Sequence, residues 1–135
     1  CQITKASSTE FDEMCEEPII DLMQDQKSIT NMGGTLRLGN YECSLVPNTL
    51  AYKFYNQEKI YERHRHRYEF NNKYREILEK NGMVFSGINN PANLVEIVEL
   101  STKKFFVACQ FHPEFKSRPT KPHPLFENFI KAAIK

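Results

Sequence analysis

The chain has 135 residues, 40% of them apolar and 12% aromatic, with a formal net charge of +1. That length and apolar content suit one globular domain with its own core and exclude a disordered segment. The near-neutral charge gives no general argument for a nucleic-acid partner, and no apolar run approaches the ~20 residues that cross a bilayer.

In chain order, residues 1–17 are polar and broken and read as irregular. PIIDLM (18–23) is a short apolar strand, QDQKSITN (24–31) a polar loop, and Gly33-Gly34 prolongs that loop. TLRLGNYECSLV (35–46) alternates as a strand does, with its apolar weight on Leu36, Leu38, Tyr41, Cys43 and Leu45 and a bend expected at Gly39. NTLAYKFYN (48–56) predicts a short helix capped by Asn48 or Thr49. KIYERHRHRYEF (59–70) alternates again and predicts one strand. NKYREILEKNG (72–82) predicts a helix with Tyr74, Ile77 and Leu78 on one face and Gly82 as its stop. MVFSGI and LVEIVEL are two further strands around the turn NNPAN, and FFVACQF (105–111) reads as a buried strand. HPLFENFIKAAIK (123–135) closes the chain as a helix whose apolar face is Leu125, Phe126, Phe129, Ile130 and Ala133. Strands followed by a terminal helix indicate an α/β or α+β layered fold.

The buried strand ends in His112, Pro113 and Glu114. Residues i and i+2 of an extended chain face the same way, so His112 and Glu114 project to one side if the path stays extended through Pro113. Proline fixes its own φ and biases the residue before it toward β geometry. A carboxylate beside an imidazole fixes the tautomer and raises its basicity, which is the base-and-orienter half of a nucleophilic triad. From the spacing alone, a purely structural His–Glu hydrogen bond at a strand end fits as well.

No nucleophile stands beside the pair. Cys109, three residues before His112, falls on the opposite strand face and reads as core. Cys1 acting with its own α-amine would be a different enzyme design that needs no H-P-E pair. Cys15 and Cys43 have no supporting context, and no G-x-S-x-G elbow occurs. Without C-x-x-C spacing the four cysteines read as free thiols of a reducing compartment, which predicts a cytoplasmic location. Cysteine as residue one suggests a truncated sequence.

RHRHRYE (63–69) is the second constellation. On a regular strand Arg63, Arg65 and Arg67 share one face and His64 and His66 the other. The arginine fork suits a carboxylate or phosphate, although a charged edge strand protected from aggregation reads the same way. H-x-H could supply two metal ligands but has no identifiable third, so no metal is expected.

These motifs together carry a resemblance. QFHPEF resembles the His–Glu strand of class I glutamine amidotransferases. The run ACQFHPEFKSRPTKPHPLFENFIKAA, with ERHRHRYE, MGGTLRLG and SSTEF, resembles the C-terminal glutaminase domain of the CTP synthase family, from about Ser8 to Lys131. FHPEF alone is shared by many amidotransferases. RHRHRYE combined with GGT-x-RLG is far more specific.

The resemblance implies the C-terminal half of a flavodoxin-like α/β domain. It implies an enzyme that makes CTP from UTP, ATP and L-glutamine, in which a glutaminase domain releases ammonia for a separate synthase domain. His112 and Glu114 match the catalytic base and its orienter. Arg67 matches the clamp on the glutamine α-carboxylate, and Glu10 a carboxylate suited to the α-ammonium. Thr35 and Arg37 match a lid linked to GTP activation. No cofactor is expected in this chain, while the family uses ATP and Mg2+ with GTP as activator. Family members form homotetramers and some form filaments; neither nucleic acid nor membrane is implied. The family's cysteine elbow, G-x-C-L-G-M-Q, lies roughly two dozen residues before S-T-E-F, and only seven residues precede Ser8 here. The 135 residues are therefore expected to lack the nucleophile and, alone, to be inactive. The alternative is a non-catalytic, amidotransferase-derived module with a regulatory or filament-forming role.

Overall fold

The computed structural model describes residues 1–22 and 36–134. In chain order the elements are β1 (Ala6–Ser8), β2 (Glu17–Leu22), β3 (Arg37–Leu45), α1 (Leu50–Tyr55), β4 (Lys59–His66), β5 (Tyr68–Phe70), α2 (Arg75–Lys80), β6 (Met83–Asn89), β7 (Leu94–Leu100), β8 (Val107–Cys109) and α3 (Pro124–Ala133). A three-stranded sheet runs β1-β2-β5 and a five-stranded sheet runs β4-β3-β6-β7-β8. The β1–β2 pair is parallel and the remaining pairs are antiparallel. The expected α/β architecture is the one observed.

β7 lies between two neighbouring strands and is largely buried, and its apolar run matches that position: Leu94, Val95 and Ile97 are all buried. One core cluster gathers Cys43, Leu45, Ala51, Ile60, Ile97, Phe111 and Leu125. A second gathers Phe70, Tyr74, Leu78, Phe85, Ile88 and Val95. The carboxylate of Glu99 in β7 accepts from the backbone N–H groups of Leu50 and Ala51 at 2.9 and 2.7 Å, and so caps α1 in addition to Thr49. Gly39 has φ +113°, in the left-handed region, where the bend was expected.

Several expectations change. A short strand, β1, lies inside the segment read as irregular; three small residues carry no periodic signal. The predicted strand 59–70 breaks at Arg67, with β4 in the five-stranded sheet and β5 in the other. In β3 the inward face is Arg37, Tyr41, Cys43 and Leu45, while Leu36 and Leu38 are exposed. The strand alternates as predicted, but its inward face begins with a cation. Residues 72–82 form a 3-10 turn followed by the six-residue α2, and Ile77 turns outward while Tyr74 and Leu78 are buried. FFVACQF contributes only Val107–Cys109 to a strand, and that strand is the edge of its sheet, with Phe106 exposed. On α3 only Leu125 is buried, and Phe126, Phe129 and Ile130 face outward.

The chain that leaves the β8 edge of the five-stranded sheet reaches the opposite edge. Beyond β8, the backbone N–H of His112 donates to the carbonyl of Arg63 in β4 at 2.9 Å. That contact brings the H-P-E and R-H-R-H-R motifs side by side.

Candidate active site

The segment after β8 is held from two directions. Gln110 N–H donates to the Glu96 carbonyl of β7 at 2.9 Å, and His112 N–H to Arg63 of β4. Between them Phe111 is buried against the rings of His64 and His123, at 5.9 and 6.3 Å. His112 is extended (φ −107°, ψ 91°), as a residue before proline prefers. The chain does not stay extended: Pro113 opens a single 3-10 turn, closed by Phe115 N–H to the His112 carbonyl at 3.1 Å. The turn, rather than a shared strand face, brings Glu114 back to its partner. His112 Nδ1–H donates to Glu114 Oε1 at 2.7 Å.

That bond holds the Glu114 carboxyl below the usual carboxylate range, helped by a backbone hydrogen bond. Glu114 is therefore an acceptor, the Nδ1 position carries the proton, and Nε2 of a neutral ring is left with its lone pair. The ring also stacks on Phe115 at 5.2 Å. An imidazole fixed in this tautomer is equipped to take up and return a proton at Nε2.

Glu10 and Arg67 line one cleft of about 420 Å³, together with Ile20, His66, Tyr68 and Gln110. The cleft accommodates an amino acid and reaches Gln110, two residues from His112. Glu10 stands on the turn after β1, where Phe11 and Asp12 N–H both donate to the Ser8 carbonyl and Thr9 Oγ1 donates to Asp21 Oδ1 at 2.9 Å. Arg67 occupies the junction between β4 and β5. Arg65 borders the same cleft, whereas Arg63 does not.

Arg37 is not at the surface. It is 8% exposed, and its NH2 lies 2.6 Å from Glu96 Oε1, a carboxylate with no exposure at all. Its NH1 lies 3.6 Å from Glu69 Oε1, and its guanidinium stacks over the Tyr41 ring at 4.4 Å. Thr35 and the Gly33-Gly34 pair lie outside the described residues. His64 Nδ1 and His66 Nε2 are hydrogen-bonded to each other at 2.8 Å. This buried network of Arg37, Glu69, Glu96, His64 and His66 escaped the sequence reading. Its one signal was Glu96, a charge in the middle of the apolar run LVEIVEL.

Among the described residues no hydrogen bond links any of the four thiols to His112. Burial pushes the Cys109 thiol up to about 12 and raises that of Cys43 as well, so neither is a ready thiolate. Cys109, read as core, is half-buried on the edge strand, with its Sγ 3.5 Å from the Phe111 carbonyl.

Comparison with known proteins places the chain in a family. The family Glutamine amidotransferase class-I matches residues 8–132. A CTP synthase from Pelobacter propionicus is 56% identical over 134 residues, covering 99% of this chain and 25% of that protein. A CTP synthase from Staphylococcus aureus is 58% identical over 130 residues, covering 96% of this chain and 24% of its own length. The chain thus spans about a quarter of the length of these relatives. Among solved structures, the glutaminase domain of Trypanosoma brucei CTPS with bound acivicin superposes with a TM-score of 0.88 at 35% identity, covering 97% of this chain and 51% of that one. By the match across residues 8–132, the chain belongs to the class-I glutamine amidotransferase family.

Proposed function

We propose that these residues are part of the glutaminase unit of a CTP synthase, which hydrolyses L-glutamine and delivers ammonia for the ATP-dependent amination of UTP. The observation that carries the reading is the His112–Glu114 hydrogen bond at 2.7 Å, set close to a cleft that unites Glu10 with Arg67. A cysteine thiolate from outside these 135 residues attacks the glutamine side-chain carbonyl. His112, protonated at Nε2, gives that proton to the departing ammonia as the tetrahedral adduct collapses to a thioester. The neutral ring then takes a proton from water as it attacks the thioester, and glutamate leaves. Glu114 holds the ring in one tautomer and stabilises the imidazolium. Arg67 grips the substrate α-carboxylate with two parallel N–H bonds, and Glu10 accepts from the α-ammonium.

The synthase half of the reaction, with UTP, ATP and Mg2+, is assigned to other residues of the full-length protein. The described residues offer no group of three ligating side chains, so no step is routed through a metal here. Thr35 and Arg37 are proposed to take part in GTP activation, Arg37 from a buried position directly after the segment that contains Thr35. Assembly into tetramers and a cytoplasmic location belong to the same proposal.

Arg67→Lys in the full-length protein tests the clamp. A single ammonium does not replace a planar fork at a carboxylate. The KM for glutamine is expected to rise roughly ten- to two-hundred-fold, the equivalent of a charged hydrogen bond worth ~1.5–3 kcal/mol. Synthesis from ammonium chloride stays near its normal rate. Arg63→Lys, outside the cleft, serves as the control. Equal loss with both nitrogen sources, or unchanged glutamine kinetics, contradicts the assignment.

A further inference from the structure

Beneath the cleft lies a set of buried charges that the proposed chemistry does not use. Arg67 sits at the junction of two sheets, and the residues on both sides of it are fastened into that set. His66, the residue before it, lies in the cleft wall. Its Nδ1 faces the Tyr68 carbonyl at 3.0 Å and Glu69 Oε1 at 3.4 Å, two acceptors, so Nδ1 carries the proton. Burial lowers His66 to about 4 and His64 to about 3, and both rings are neutral at working pH. His66 Nε2 lies 2.8 Å from His64 Nδ1, which Arg37 also approaches at 3.5 Å. Glu69, two residues after Arg67, is buried and faces Arg37 NH1 at 3.6 Å. Arg37 in turn holds Glu96 of β7 at 2.6 Å.

We infer that Glu69 is a positioning residue for Arg67, fixing the β4–β5 junction through Arg37 and His66 so that the guanidinium meets a substrate carboxylate. The inference rests on the proposed glutamine site and adds to it a group that never touches substrate.

The groups facing Glu69 are Arg37 from β3, His66 and, behind it, His64 from β4, and Glu96 from β7. Its cross-strand partner on β2, Asp21, is engaged by Thr9. One guanidinium serves two buried carboxylates, and the second is held at a cost. Burial, reinforced by the Glu96 charge, raises Glu69 to about 7 even with Arg37 opposing. Only the ionised carboxylate attracts Arg37, while His66 Nδ1, whose proton goes to the Tyr68 carbonyl, lies 3.4 Å from Glu69 Oε1. Protonation below about 7 releases that hold on the junction.

The experiment is the pH dependence of glutamine hydrolysis between about pH 5.5 and 8.5 in the full-length protein, with KM and kcat read separately. The wild-type KM is expected to fall about five- to ten-fold as pH rises through about 7, a step worth ~1–1.4 kcal/mol. Glu69→Gln keeps the volume and loses the ionisation. Its KM should stay at the low-pH value throughout, with kcat within about two-fold of wild type. Glu69→Asp, which keeps the charge, should retain the step. A wild-type KM without a step overturns the inference, whether or not Glu69→Gln folds. So does a Glu69→Gln variant that keeps the wild-type KM profile, or one that loses kcat alone. If Glu69→Gln is silent while Arg67→Lys raises KM, only the positioning role falls. If neither raises KM, the substrate site itself is wrong.

Discussion

At the scale of single residues, the proposed chemistry depends on how firmly one imidazole is aimed. Glu114 fixes the tautomer of His112, yet both side chains are substantially exposed, His112 by 36% and Glu114 by 55%. A buried orienter can be worth about 10⁴ in rate, and solvent screening reduces that. Glu114→Gln keeps an acceptor within reach of Nδ1–H but removes the charge opposite the imidazolium. The expected result for glutamine hydrolysis in the full-length protein is a kcat about ten- to hundred-fold lower with KM little changed. Steady-state kinetics decide it: an unaltered kcat would mean that Pro113 and the 3-10 turn alone aim the ring. The pair itself was legible in the sequence, because H-P-E puts a base and an orienter two residues apart. The means of pairing was not. Spacing cannot distinguish a shared strand face from a tight turn, and proline is compatible with both.

At the scale of elements, β3, β6 and β7 pack closely around one glycine. Gly87 of β6 sits where a Cβ would come within 2.7 Å of Ile97 and 2.8 Å of Cys43 Sγ, both fully buried. Gly87→Ala therefore overpacks this contact and is expected to cost about 1–3 kcal/mol, read as a lower midpoint in urea unfolding at unchanged slope. A neutral result would show that Ile97 can swing aside. Most elements were legible from periodicity: β3, β6, β7 and α1 fall where the apolar alternation and the Thr49 cap put them. The failures inside β3 and β4 share a cause. Arg37, Glu62, His64, Glu69 and Glu96 are buried polar groups, and a hydrophobic pattern assigns such residues to the outside. The split of residues 59–70 at Arg67 was hidden for the same reason, since alternation continues through a strand that changes sheets.

At the scale of the whole molecule, the family and the general architecture were readable because RHRHRYE, GGT-x-RLG and QFHPEF occur together in order. The extent of burial was not readable. Phe129 and Ile130 of α3 are 53% and 55% exposed beside the half-covered edge strand β8, although both were expected to face a core. Periodicity identifies an apolar face but not what covers it. The solved glutaminase domain that this chain matches is about twice as long, and the matching CTP synthases about four times. The measurement that bears most directly on the account is therefore made on the full-length protein, by comparing His112→Ala with wild type for CTP formation from L-glutamine and from ammonium chloride. Glutamine-dependent synthesis is predicted to fall by at least about 10²-fold, since a general acid–base group contributes that much or more, while ammonia-dependent synthesis persists. Retention of glutamine-dependent synthesis, or parallel loss of both activities, would contradict the role given to His112.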